Sequence, residues 1–203
     1  MPYDRARQFL AALDDDWARH VAAIGPCLHE PKPTRDPYEA LVRAIAYQQL
    51  HVRAGDAIVG RLLALFPGQP FPSAAQLLAS DGDALRRCGF SASKVATIQG
   101  IADATLSGVV PDYPTAQAMD DETLIARLTP LRGVGRWTVE MLLIYTLERP
   151  DILPADDFGV RDGYRRLKGL EQTPTRRQML ELGQAWSPYR TVAAWYLWRV
   201  PRG

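Results

Sequence analysis

The chain has 203 residues, 47% hydrophobic and 23% charged, with 24 Lys and Arg against 23 Asp and Glu and a formal net charge of +1. That apolar content can bury a core in one globular domain or two lobes, so disorder is not the default expectation. No apolar run approaches a membrane span, the N-terminus lacks a basic-then-apolar leader, and the isolated Cys27 and Cys88 build neither a disulfide framework nor a Cys-rich metal site. A cytoplasmic chain without a membrane partner is therefore expected.

Residues 4–24 read as one helix, with Phe9, Leu13, Trp17 and Val21 at four-residue spacing and Gly25-Pro26 as its end. Pro31, Pro33 and Pro37 keep the next stretch extended. Asp36-Pro37 forms an N-cap and first-turn pair for a helix carrying Leu41, Ile45 and Tyr47 to about Gln49. A further helix spans 52–66 and stops at Pro67-Gly68. Ser73 and Asp81 cap two short helices, the second ending near Gly89. Ser91 caps a longer one with Val95, Ile98, Ile101 and Ala102 on its apolar face. Gly108 and Pro111-Asp112-Tyr113-Pro114 read as a loop.

Asp120 then caps a helix through Thr129, with Leu124, Ile125 and Leu128 on one face, and Pro130 stops it. After Leu131-Arg132-Gly133-Val134-Gly135, a mostly apolar helix opens at Arg136-Trp137-Thr138-Val139-Glu140. Pro150 and Pro154 bracket a loop that delivers Asp156 and Asp157 to the next helix start, where Val160, Tyr164 and Leu167 form an apolar face. Thr173-Pro174 caps a helix through Leu180 and Leu182, and Ser187-Pro188 opens a last one to Val200. No strand pattern or internal repeat is visible, so the fold class is all-α with short Pro-rich connections.

Local pattern alone leaves roles open. Two helices joined by a Gly-x-Gly turn leave bare amides at a helix N-terminus, which suits an anion such as a phosphate, but such a turn is also an ordinary connection. Asp156 and Asp157 read equally as N-caps, and Trp137 as a core residue. The late basic residues Arg161, Arg165, Arg166, Lys168, Arg176 and Arg177 permit a nucleic-acid partner, although Arg runs are commonly solvated helix faces. His20, His29 and His51 match no metal or acid–base spacing.

The run 131–140 resembles the helix-hairpin-helix of the base-excision DNA glycosylases. Pro154-Ala155-Asp156-Asp157-Phe158-Gly159-Val160 resembles that family's Gly/Pro-rich loop with its catalytic aspartate. Ala44 to Leu50 resembles the helix end before the family's DNA-intercalating residue. The segment 185–198 is similar to the C-terminal helix of the 3-methyladenine DNA glycosylase II branch. Some members carry an N-terminal β domain, for which 203 residues leave no room.

The resemblance implies a two-lobed helical fold, one lobe about 32–149 with the hairpin at 120–147, the other 1–31 plus 150–203, and a cleft between them holding the hairpin's end and Asp157. It implies a monomer acting on double-stranded DNA with alkylated bases, nucleoid-associated through that DNA. Asp157 would stabilise an oxocarbenium-like sugar and position water, at a helix N-terminus whose dipole favours negative charge, with Asp156 as the cap. Trp137 stands where strand-nicking relatives carry a Schiff-base lysine, which implies a glycosylase without lyase activity.

Trp137, Trp198 and Tyr145 would line the base pocket, where a cationic alkylated purine gains cation–π attraction. Gly133, Gly135, Arg136 and Thr138 would contact a phosphate, and Gln49 or Leu50 would fill the gap left by the extruded base. No cofactor is required. The family's hairpin carbonyls can coordinate a structural Na+ or K+, and the matching ones are Thr129, Leu131 and Val134. Two other readings remain: a helix-hairpin-helix DNA-binding module without catalysis, and a glycosylase for another class of damaged base. A bifunctional oxidised-base enzyme is opposed by Trp137 and by too few cysteines for a four-Cys iron–sulfur cluster.

Overall fold

The computed structural model describes residues 3–201, and among the described residues every regular element is helical. In chain order these are α1 (Asp4–Ala11), α2 (Asp15–Ile24), α3 (Pro37–Tyr47), α4 (Val52–Ala64), α5 (Ala74–Leu78), α6 (Gly82–Arg87) and α7 (Ala92–Leu106). They continue as α8 (Tyr113–Ala118), α9 (Asp121–Leu128), α10 (Arg136–Tyr145), α11 (Phe158–Leu167), α12 (Arg176–Leu182), a 3-10 turn (Gly183–Trp186) and α13 (Arg190–Leu197). Two compact units result, Met1–Pro31 with Glu148–Gly203, and Lys32–Leu147.

In the 32–147 unit, α3 is the common neighbour of α4, α7 and α10. Leu41, Ile45, Leu62, Leu77, Leu85, Ile98, Ile101, Leu124 and Leu128 are buried almost completely. Each such side chain is worth about 1.5–3 kcal/mol relative to exposure, so this interior is what holds the short helices in place. Ser73, Asp81, Ser91 and Asp120 cap α5, α6, α7 and α9 through their side chains, as their positions predict. The 111–114 stretch departs from expectation. Asp112 accepts the Thr115 N–H at 2.9 Å and starts α8, because Pro114 in the first turn lacks only an N–H that a helix start leaves unpaired.

In the other unit, α13 packs against α1, α2 and α11. Trp17 and Tyr196 are fully buried, and the Tyr196 hydroxyl donates to the Gly25 carbonyl at 2.8 Å. Gly163 lets α11 approach α13 closely, since a Cβ there would lie 2.1 Å from the Leu197 carbonyl oxygen. The expected single helix over 4–24 is two. The Asp14 carboxylate accepts the N–H groups of Asp16 and Trp17 at 3.0 and 3.1 Å, and this local bonding starts a new helix rather than continuing the old one. Thr175, not Thr173, caps α12, in a reciprocal box with Gln178. The last helix begins at Arg190 rather than Pro188. Asp151 meets it from a distant loop, accepting the Arg190 N–H at 3.1 Å, its guanidinium at 2.8 and 2.9 Å, and the Ser187 hydroxyl at 2.8 Å.

Candidate active site and nucleic-acid interface

The hairpin turn lies between α9 and α10. Gly135 is the N-cap of α10 with φ −87° and ψ 168°, and a Cβ there would meet nothing within 4 Å. Gly133 differs: its φ is +78° and a Cβ would lie 2.3 Å from Thr97 Oγ1. The fold itself therefore demands glycine at 133, whereas at 135 the open side faces outward. Among the described residues neither glycine's N–H has a backbone acceptor, and both residues are exposed.

Two residues expected to reach phosphate do not present free groups. The Arg136 guanidinium is held by Glu122 at 2.9 and 2.5 Å and by Glu140 at 3.0 Å, the latter carboxylate buried. The Glu122 hydrogen bond leads in raising the Arg136 pKa, against the opposing effect of burial. Its charge is already balanced. Thr138 is 1% exposed, and its hydroxyl accepts from the Gln48 side chain at 3.0 Å, so it serves the interior. Arg132, next to Gly133 in the turn, is exposed and, among the described residues, makes no ion pair.

The carbonyls proposed for a cation can be tested against the turn. Leu131's accepts the Val134 N–H at 3.0 Å and keeps a second lone pair, while among the described residues those of Thr129 and Val134 accept no backbone hydrogen bond. Neutral oxygens of this kind fit a weakly held monovalent ion. Trp137 is half-buried in the first turn of α10, with Met141 one turn further on the same face. Tyr145 is at the far end of that helix, roughly 12 Å away along the axis at 1.5 Å per residue. So α10 carries Tyr145 away from Trp137, and Met141 is the neighbour that spacing favours.

Between α3 and α4 the chain turns through Gln48, Gln49 and Leu50. Gln49 has φ +58°, an uncommon conformation for a residue with a Cβ. Gln49 is exposed, and Leu50 is an exposed apolar side chain at 42%.

In the other unit, Asp157 is the N-cap of α11, its Oδ1 accepting the Val160 N–H at 2.8 Å. The same Oδ1 accepts the Trp198 indole N–H at 2.8 Å. The expected division of labour is thus corrected: Asp156 does not cap the helix but pairs with Arg176 at 3.0 Å on the surface. Asp157 and Trp198 are both half-buried. Gly159 makes room for the pair, since a Cβ there would stand 2.9 Å from Trp198 Cδ1 and 3.1 Å from Asp157 Oδ1.

The late basic stretch is not a free positive surface. Arg165 and Arg166 pair with Asp162 at 2.9 and 3.0 Å, Lys168 with Asp14 and Asp16 at 2.6 and 2.9 Å, and Arg177 with Glu181 at 3.0 Å. Among the described residues no group of three or more His, Cys, Asp and Glu is arranged to hold a metal, and no helix is long and apolar enough to cross a membrane.

Residues 42–188 match the family model described as HhH-GPD superfamily base excision DNA repair protein. The chain is 42% identical over 201 residues to DNA-3-methyladenine glycosylase 1 of Schizosaccharomyces pombe, covering 98% of this chain and 87% of the relative. The solved structure of the 3-methyladenine DNA glycosylase from that yeast, in complex with abasic DNA, superposes with a TM-score of 0.91, 42% identity, and coverage of 96% and 95% of the two chains. A DNA-3-methyladenine glycosidase from Bacillus halodurans superposes with a TM-score of 0.78 at 31% identity, over 97% of this chain and 89% of that one.

Proposed function

This chain belongs to the HhH-GPD superfamily of base excision DNA repair proteins, and we propose from it a monofunctional DNA glycosylase of the 3-methyladenine type. It hydrolyses the N-glycosidic bond of alkylated bases in double-stranded DNA, releasing the free base and leaving an abasic strand. The observation that carries the chemistry is the Asp157 carboxylate, fixed by the Val160 N–H and the Trp198 indole N–H at a helix start.

A carboxylate so oriented stabilises the positive charge that develops on the sugar as the base departs, and it can direct a water to the same carbon. An alkylated purine carries positive charge while still bound to the sugar and departs as a neutral base with the bonding electron pair, so no strong general acid is needed. Trp137 offers an aromatic face but no amine, and a Schiff base with the sugar requires an amine. Strand cleavage is therefore not part of the reaction.

The strand is anchored by the exposed N–H groups of Gly133 and Gly135, with Arg132 as the accompanying cation. The carbonyls of Thr129, Leu131 and Val134 would hold a Na+ or K+, whose charge would add to the attraction for phosphate. Gln49 or Leu50 fills the space left by the flipped nucleotide, and Trp137 and Trp198 supply ring faces to the base. The protein acts as a monomer, requires no cofactor for the chemistry beyond that structural ion, and is nucleoid-associated through its DNA.

The experiment is release of free base from alkylated duplex DNA by the purified protein in cofactor-free buffer, with the strand examined before and after alkaline treatment. Free 3-methyladenine together with an alkali-labile but uncut strand is the expected result. Tight DNA binding with no base released would leave only a DNA-binding module.

A further inference from the structure

The turn that carries Gln49 and Leu50 is fastened to the hairpin by side chains distant in sequence. Gln48 Nε2 donates to the Gly133 carbonyl at 3.2 Å and to Thr138 Oγ1 at 3.0 Å. Lys94 Nζ, from the first turn of α7, donates to the carbonyls of Ala46 and Gln48 at 3.2 and 2.8 Å, satisfying orphan acceptors at the end of α3. Three residues along α7, Thr97 lies directly under Gly133. On the far side, the Tyr47 hydroxyl bonds Asp56 at 2.6 Å, and the Tyr47 ring packs where any Cβ on Gly55 would clash. A turn held from so many directions can keep Gln49 at its unfavourable φ of +58°.

We propose that Gln48 is a positioning residue that locks the Gln49–Leu50 turn to the hairpin turn, so that the strand-anchoring amides and the gap-filling side chain meet DNA as one rigid device. This rests on the glycosylase reading above, in which those two turns have those tasks. Neither bond reaches DNA. Gln48 acts by fixing the separation between two elements that do, and a register set in advance removes an ordering cost from binding of the distorted duplex.

The test compares affinity for a duplex carrying a tetrahydrofuran abasic analogue with affinity for the same undamaged duplex. Gln48→Met keeps length and volume while removing both hydrogen bonds. The abasic preference should fall about five- to tenfold, the scale of one or two net hydrogen bonds, with undamaged-duplex affinity within twofold of wild type. Thr138→Val removes one acceptor from the other side and should reproduce part of the loss. The double variant should then be no worse than Gln48→Met, because the partners act through one contact. A 2-aminopurine opposite the analogue should report altered stacking in each variant.

An unchanged preference in a folded Gln48→Met protein, or equal loss on both duplexes, overturns the positioning role. Additive losses in the double variant overturn it as well. If wild type itself showed no preference for the abasic analogue, the failure would belong to the glycosylase reading.

Discussion

Trp198 and Asp157, 41 residues apart in sequence, are joined by an indole N–H to carboxylate hydrogen bond of 2.8 Å on the oxygen that also caps α11. The contact gives Trp198 a task beyond offering an aromatic face. It holds the orientation of the group on which the proposed chemistry depends, and Gly159 is the residue that leaves room for it.

Asp157→Asn should reduce single-turnover base release by on the order of a hundredfold or more, since it removes charge stabilisation specific to the transition state. Asn also caps helices, so the melting temperature should change little and DNA binding should stay within several-fold. Asp156→Asn should leave release near wild type, because among the described residues its carboxylate makes an exposed surface pair with Arg176 and does not cap α11. Excision by Asp157→Asn at the wild-type rate would remove the catalytic assignment.

Borohydride added during turnover should not trap the protein on damaged DNA. The position where a lyase needs an amine holds Trp137. A lesion-dependent covalent adduct on a denaturing gel would contradict this.

What was legible in the sequence follows from range. The caps at Ser73, Asp81, Ser91 and Asp120 are bonds across three residues, and they stand as their positions predict. The choice between Asp156 and Asp157 as cap was not legible, because both side chains can make that bond and the distant partners Arg176 and Trp198 sort them. Gln48 looked like a helix end for the same reason: its acceptors lie 85 and 90 residues away. The neutralised cations are a different case. Arg136 with Glu140, and Arg166 with Asp162, sit at helical i,i+4 spacing. That signal was present in the sequence as an intrahelical partner for each arginine.

The two hairpin glycines should respond oppositely to alanine. Gly135→Ala meets open space at an ordinary φ, so the protein should melt normally while affinity for damaged and undamaged duplex falls together. Gly133→Ala forces a Cβ into a left-handed conformation and against Thr97, and should destabilise by roughly 1–2 kcal/mol or more. Thermal melts beside binding isotherms separate the two. Unchanged DNA affinity in Gly135→Ala would mean that the hairpin is not the phosphate anchor.

Asp151 gives a pH prediction. Burial would raise its pKa, but hydrogen bonds from Arg190 and Ser187 outweigh that and hold it below the usual carboxylate range. A depressed folded-state pKa contributes stability that is present above the unfolded value and lost as pH falls through the folded one. Asp151→Asn should cost about 1–2 kcal/mol at neutral pH, a figure reduced for the partial exposure of the pair. The gap between wild type and variant should start to narrow near the unfolded carboxyl value of about 4 and close only as pH falls through the lower folded-state value. A constant gap down to pH 2 would show that packing, not charge, is what Asp151 contributes.

Trp198 carries two separable contributions, and substitutions can divide them. Trp198→Phe keeps an aromatic face and loses the N–H to Asp157. Trp198→Leu loses both. If the hydrogen bond orients Asp157, Trp198→Phe should slow excision of cationic 3-methyladenine and of neutral ethenoadenine or hypoxanthine alike, by roughly tenfold, because all substrates use the same carboxylate. If the ring also attracts a charged base, Trp198→Leu should add a further loss confined to cationic substrates. Cation–π attraction of about 0.5–2 kcal/mol corresponds to a few-fold up to about thirtyfold. Gly159→Ala supplies an independent check, since its Cβ would stand against both Trp198 and Asp157 without touching the indole's chemistry. It should therefore behave as Trp198→Phe does, with circular dichroism confirming the fold of each variant. A Trp198→Phe enzyme with wild-type rates on every substrate would reduce the 2.8 Å contact to packing.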